Sequence, residues 1–135
     1  MPGILADVNV LGHVQVLLQL MQEGYRAEIW AWLNYRIASL TELGLATDAS
    51  DRIIWQKCQD QRFVLITANR NEKDPDSLGV AIRELNRLDS LPVITLANSE
   101  RILKDRAYAE VVADRLLEYL FDIDKHLGAG RVFVP

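Results

Sequence analysis

The residues of this sequence that could do chemistry are short acid and amide side chains placed where apolar segments end. Asp7 closes the apolar run at the start of residues 4–8 (ILADV), and LITANRN places Asn69 and Asn71 directly after the apolar FVLIT of residues 63–67. If these two segments are neighbouring parallel strands, their carboxyl ends meet at one edge of the sheet, where α/β proteins place their sites. We therefore expect one crevice to be lined by Asp7, Asn9, Asn69 and Asn71.

Oxygen ligands of this kind suit Mg²⁺ or Mn²⁺, which bind through one or two carboxylates and keep several waters. Asp51 stands near the start of a helical segment and would point at the same sheet edge. The loop that follows Asn71 adds further carboxylates at Glu72, Asp74 and Asp76.

Each of these residues also has a structural explanation, and the sequence leaves both explanations open. Asp7 can cap the helix that follows it, and Asp48 with Asp51 resembles a capping box beside a helix dipole. Asn69 and Asn71 can instead form a turn, because asparagine favours turns and tolerates left-handed backbone.

The apolar segments predict the strands that must position these residues. Residues 63–67 and 92–96 are apolar at successive positions, which is typical of parallel strands covered on both faces. Residues 4–8 predict a short first strand, and a strand or turn is expected before Gly44. RVFVP at the end predicts an edge strand, since Pro135 cannot donate to a ladder.

Helical spacing of apolar residues predicts helices between these strands. In chain order they lie at residues 10–21, around residues 27–35, after the letters TDAS and within DPDSLGVAIRELN, and residues 99–125 contain a short helix followed by a long one. Thr47, Asp48 or Ser50 can cap the third helix, whereas Asp74 caps the next one with Pro75 at its first position. The alternation predicts one three-layer α/β/α domain over residues 1–135 with a mostly parallel sheet.

Composition limits the classes of protein. The chain has 135 residues, a net charge of −4 and a single cysteine, Cys58, so there is neither general attraction for nucleic acid nor an internal disulfide. It has no run of 18 apolar residues and no signal-peptide pattern at its start, which favours a cytoplasmic protein without a membrane partner.

Three segments resemble a known family when they are taken together. ILADVNV, SDRIIWQKCQDQRFVLITANRN and DSLGVAIRELN are similar to the PIN-like proteins of the DUF5615 and Mut7-C type, over roughly residues 3–96. SLPVITLAN and GRVFVP resemble a smaller bacterial subgroup of that set. The resemblance implies a PIN-like α/β/α fold and a metal-dependent ribonuclease, often the toxin of a toxin–antitoxin pair.

The resemblance also implies roles for individual residues. Asp7 and Asp51 match family acids, while Asn69 and Asn71 stand where a third and a fourth acid are expected. We expect Asp7, Asp51 and Asn69 to bind Mg²⁺ or Mn²⁺ weakly, because an amide brings no charge. Asn71 would assist them, with Arg70 and Asn9 contacting substrate RNA. The alternative is a catalytically impaired PIN-like protein that binds nucleic acid or protein.

The last predictions concern assembly. Residues 99–125 carry more apolar side chains than one stripe on a sheet requires, and residues 27–35 contain two tryptophans. We expect a homodimer built on one of these segments. The resemblance adds an antitoxin as a further partner.

Overall fold

Five short strands form the centre of the protein in a computed structural model that describes residues 2–135. The strands are β1 (Gly3–Ala6), β2 (Arg36–Ala38), β3 (Phe63–Thr67), β4 (Val93–Leu96) and β5 (Arg131–Val134). They lie in the order β2-β1-β3-β4-β5, and every neighbouring pair is parallel. The predicted mostly parallel sheet is confirmed, and it is fully parallel.

Within residues 2–135, six α-helices connect and cover the strands: α1 (Leu11–Met21), α2 (Ala27–Leu33), α3 (Asp51–Gln61), α4 (Leu78–Leu85), α5 (Ser99–Lys104) and α6 (Arg106–Phe121). Because neighbouring residues of a strand point to opposite faces, the sheet has two separate cores. Ile4, Val64 and Ile94 pack in one core with α1, α5 and α6. Leu5, Leu65 and Val93 pack in the other with α3 and α4. The predicted three-layer α/β/α architecture is confirmed.

The strand order fixes where a site belongs. The chain leaves β1 to add β2 on one side, and it later returns to add β3 on the other side of β1. The carboxyl ends of β1 and β3 therefore flank the point at which the direction of winding reverses. Open α/β sheets bind their ligands in the crevice at this position.

Several predicted boundaries need correction. β1 ends at Ala6 rather than at residue 8, because residues Val8–Val10 turn into a 3-10 helix. The fourth helix begins at Leu78 and is capped by the Ser77 hydroxyl, so the prediction of an Asp74 cap with Pro75 at the first position is wrong. Ser50, one of three predicted candidates, caps α3 by accepting from Ile53 N.

The second helix is shorter than predicted. It ends at Leu33 because Asn34 adopts a left-handed conformation, with φ of 54°. Asparagine tolerates that conformation better than most residues. Among the helices of residues 2–135, none has the length and apolar character needed to cross a bilayer.

Candidate active site

A row of four residues crosses the carboxyl edge of the sheet. Thr67 of β3 pairs with Thr95 of β4, and Thr95 pairs with Phe133 of β5. Asp7 extends the row on the other side, since its amide donates to Ile66 O at 2.9 Å just beyond the end of β1. Both threonines are completely buried. Buried hydroxyls need hydrogen-bond partners, and the partners of these two threonines are residues of the candidate site.

Asp7 is held by the strand beside it. The Thr67 hydroxyl donates to Asp7 Oδ2 at 2.8 Å, whereas the Asp7 side chain makes no cap to the 3-10 helix that follows. The helix-cap explanation for this carboxylate is therefore wrong. Among the described residues, the bond from Asp7 to this turn is made by its backbone carbonyl, which accepts from Val10 N at 2.9 Å.

Asn69 joins the loop after β3 to the start of α3. Its Nδ2 donates to Asp51 Oδ2 at 2.8 Å, and its Oδ1 accepts from Asn71 N at 2.8 Å. The backbone amide of Asn69 in turn donates to the Thr67 hydroxyl at 3.0 Å. Hydrogen bonds thus link Asp7, Thr67, Asn69 and Asp51 in one chain. Asp51 is the first residue of α3, directly after the Ser50 cap.

These contacts fix the orientation of the Asn69 amide. To turn Oδ1 toward a cation beside Asp51, the Asn69 amide would have to break both of these hydrogen bonds, at roughly 2–4 kcal/mol together. That cost corresponds to a loss of roughly 30- to 1,000-fold in affinity. The oxygen of Asn69 is therefore a poor ligand in this arrangement.

The Asn71 side chain is bound within its own loop rather than to Asp7 or Asp51. Its Nδ2 donates to Asp74 Oδ2 at 2.9 Å, and its Oδ1 accepts from Lys73 N at 3.0 Å. The loop packs closely on α4, where a Cβ at Gly79 would lie 3.0 Å from Asn71 O. A glycine at position 79 is thus required by this close approach.

Arg70 and Asn9 lie at the same edge but are held differently. Arg70 Nη2 donates to Ala97 O at 2.7 Å, and its guanidinium lies over the Phe133 ring at 5.4 Å from the centroid. Asn9 is exposed within the 3-10 turn after Asp7. Their contact with a substrate stays a prediction.

Thr67 and Arg131 are site residues that sequence reasoning missed. Arg131 Nη1 donates to both Asn69 O and Thr95 Oγ1, each at 2.7 Å. Burial lowers the pKa of this guanidinium, nearby Glu72 opposes the shift and nearby Arg70 adds to it. The sequence did contain a signal for them, because side chains alternate between the two faces of the sheet along FVLIT and RVFV. This alternation places Thr67, Arg131 and Phe133 on the same face.

Cys58 lies below the site and is not a nucleophile. The thiol is buried in the core that α3 forms with the sheet. Burial, and secondly the negative charge of Asp7, raise its pKa to about 12. A thiol with that pKa carries almost no thiolate at neutral pH.

The side chains of the crevice that could bind a hard cation are the carboxylates of Asp7 and Asp51. No group of three or more His, Cys, Asp and Glu side chains with metal-binding geometry occurs in residues 2–135. Asp7 and Asp51 each make one side-chain hydrogen bond within those residues, through Oδ2, so each offers its other oxygen. Mg²⁺ sites commonly use one or two carboxylates and complete their shell with water.

Comparisons with protein-family models, curated proteins and solved structures find no match to this chain. The resemblance to PIN-like proteins therefore rests on the short motifs of the sequence. The parallel three-layer fold is consistent with it.

Proposed function

We propose that the crevice is a low-affinity Mg²⁺ or Mn²⁺ site and that the protein is a metal-dependent ribonuclease. The observation that carries this proposal is the pair of carboxylates, Asp7 and Asp51, at the winding reversal of the sheet, connected through Thr67 and Asn69. Paired carboxylates beside a phosphodiester are the ligands that such a cation requires.

The roles of the residues follow from their contacts. Asp7 and Asp51 would hold the cation, which when bound activates a water for attack on a phosphodiester. Thr67 orients Asp7 through its hydroxyl, and Asn69 orients Asp51 through its amide. Arg70, Asn9 and Asn71 would help to position the strand. The choice of RNA as substrate, and of an antitoxin as partner, rests on the family resemblance.

Cleavage of single-stranded RNA in millimolar Mn²⁺ tests this proposal. Asp51→Asn should slow cleavage by about tenfold or more, because the cation loses one of two charged ligands. Asp60→Asn makes the same change on the exposed side of the same helix and should cleave like the wild-type protein. Equal rates for all three proteins, or cleavage that persists in EDTA, would contradict the proposal.

Binding of RNA without cleavage is the second candidate function. It is favoured by the hydrogen bond from Asn69 Nδ2 to Asp51 Oδ2, because an amide donor occupies one of the two oxygens of a carboxylate that the cation needs. A stable complex with single-stranded RNA, in which Mn²⁺ produces no cleavage, would select this candidate over the first.

We further propose that a second copy of the chain covers an apolar surface on α2 and α6. Trp32 is 70% exposed and Phe121 is 56% exposed, and their ring centroids lie 5.7 Å apart. Ile29, one turn before Trp32, is also exposed. Exposed aromatic side chains that form one surface are characteristic of interface centres.

Sedimentation of the protein at tens of micromolar tests this assembly. The wild-type protein should sediment as a dimer, and Trp32→Ala should shift it to monomer because the interface loses its largest side chain. Leu88→Ala removes a more exposed apolar side chain elsewhere and should leave the dimer unchanged. A monomeric wild-type protein would refute the proposal.

A further inference from the structure

A groove beside the aspartate crevice contains an uncovered part of the sheet. Helices α3 and α4 cover β1, β3 and β4 on one face, but the edge strand β5 leaves Phe133 49% exposed there. The groove has a volume of about 460 Å³. Its lining includes Arg70, Arg83, Arg131 and Phe133, together with Ile82 and Glu72. We call it the β5 groove.

The charge of the groove is positive although the protein as a whole is acidic. Three guanidinium groups face one carboxylate, that of Glu72, which lies 4.0 Å from Arg83 Nη1. The net charge of the chain is −4. A local excess of arginine in an acidic protein favours an anionic ligand, and guanidinium groups suit phosphate in particular.

Arg131 supplies an independent indication of an anion. Its Nη2 is buried and has no hydrogen-bond partner within residues 2–135, while Nη1 is occupied by Asn69 O and Thr95. A buried charged donor without a partner is costly. Because the Arg131 side chain lines the groove, a phosphate bound there would supply a negative charge beside this guanidinium.

Phe133 adds a flat apolar surface next to these charges. Arg70 already lies over its ring, so an aromatic face and a guanidinium plane are presented together. Nucleobases stack on such surfaces, with little dependence on sequence.

We propose that the β5 groove binds one nucleotide of a single-stranded nucleic acid, with the base against Phe133 and the phosphate at Arg70 and Arg131. This inference rests on the proposed function in that both require a polynucleotide ligand. It adds a binding subsite next to Asn69, whose carbonyl accepts from Arg131. The strand would then run from the groove across the loop to the two aspartates.

Titration calorimetry in EDTA tests the groove without any cation or cleavage. The ligands are adenosine 5′-monophosphate, adenosine, inorganic phosphate and a short acidic peptide. We expect the monophosphate to bind most tightly. Phe133→Ala should weaken its binding by about tenfold. Arg70→Gln should weaken the binding of the monophosphate but not the binding of adenosine. The control Arg115→Gln, on the exposed side of α6, should leave the binding of both ligands unchanged.

Each contrary outcome has a distinct meaning. Inorganic phosphate that binds as tightly as the monophosphate would reduce the groove to a simple anion site and overturn the proposal. Tighter binding of the acidic peptide, or no binding of any ligand, would overturn it as well. If the protein binds the nucleotide but never cleaves RNA, the proposed groove site stands and only the proposed nuclease activity is refuted. RNA cleavage unchanged by Phe133→Ala, together with no nucleotide binding, would refute only the groove.

Discussion

Asn69→Asp is expected to increase the affinity for Mn²⁺ by about 10- to 100-fold, because it adds a charged ligand beside Asp51 and removes the amide donor that now binds it. The added carboxylate can still accept from Asn71 N, so the loop keeps its turn. Without a cation, two carboxylates would meet at a distance where Asn69 and Asp51 now form a hydrogen bond of 2.8 Å.

This substitution should therefore couple stability to the cation. In EDTA the variant should melt at a lower temperature than the wild-type protein, because like charges repel at this distance. Millimolar Mn²⁺ should restore the melting temperature, since a ligand that binds only the folded state stabilises it.

Asn71→Asp is the matched control for this experiment. It makes the same change two residues later, where the amide contacts Asp74 rather than Asp51. We expect a much smaller gain in affinity from it. If the Asn69→Asp protein has the same melting temperature in EDTA and in Mn²⁺, the crevice holds no cation.

Asp7→Asn is expected to reduce RNA cleavage by about a hundredfold or more, through loss of a cation ligand at the reacting centre. The fold should survive, because the new amide oxygen can accept the Thr67 hydroxyl that now binds Asp7. A cleavage assay beside a thermal melt separates these two effects.

Asp48→Asn is a suitable control for that assay, because it neutralises an exposed aspartate in the turn before α3. It should cleave RNA at the wild-type rate. A folded Asp7→Asn protein that also cleaves at the wild-type rate would remove Asp7 from the site.

The central strands could be predicted from sequence because their apolar runs carry the information locally. Phe63–Thr67 was predicted with the same bounds that the structure has, since five successive buried residues require cover on both faces. The break between α5 and α6 was also predictable. Asp105, whose side chain accepts from Tyr108 N, caps the second of these helices.

The misses depend on contacts between distant residues. Asp74 and Pro75 form a plausible helix start in the sequence. In the structure, however, the Asp74 side chain accepts from Asn71 Nδ2 within the loop, and the helix begins only at Leu78. Thr67 bonds Asp7 from 60 positions away in the chain, and Arg131 reaches Asn69 from 62 positions away. Local patterns cannot show such pairs until the strand order is known.

The residues that share the sheet edge could be predicted from the sequence, but their contacts with one another could not. Strand ends and residue types indicated that Asp7 and Asn69 belong to one edge of a parallel sheet. The direction of the Asn69 amide depends on Asp51 and Asn71 together, and it determines whether that side chain binds a cation or a carboxylate.

Calorimetric titration of Mn²⁺ into the wild-type protein and into Asp7→Asn tests the central claim most directly. If Asp7 and Asp51 form a low-affinity cation site, the wild-type protein should bind one Mn²⁺ weakly, and the Asp7→Asn protein should show no binding. Two identical titrations, whether both show binding or neither does, would contradict a cation site in this crevice.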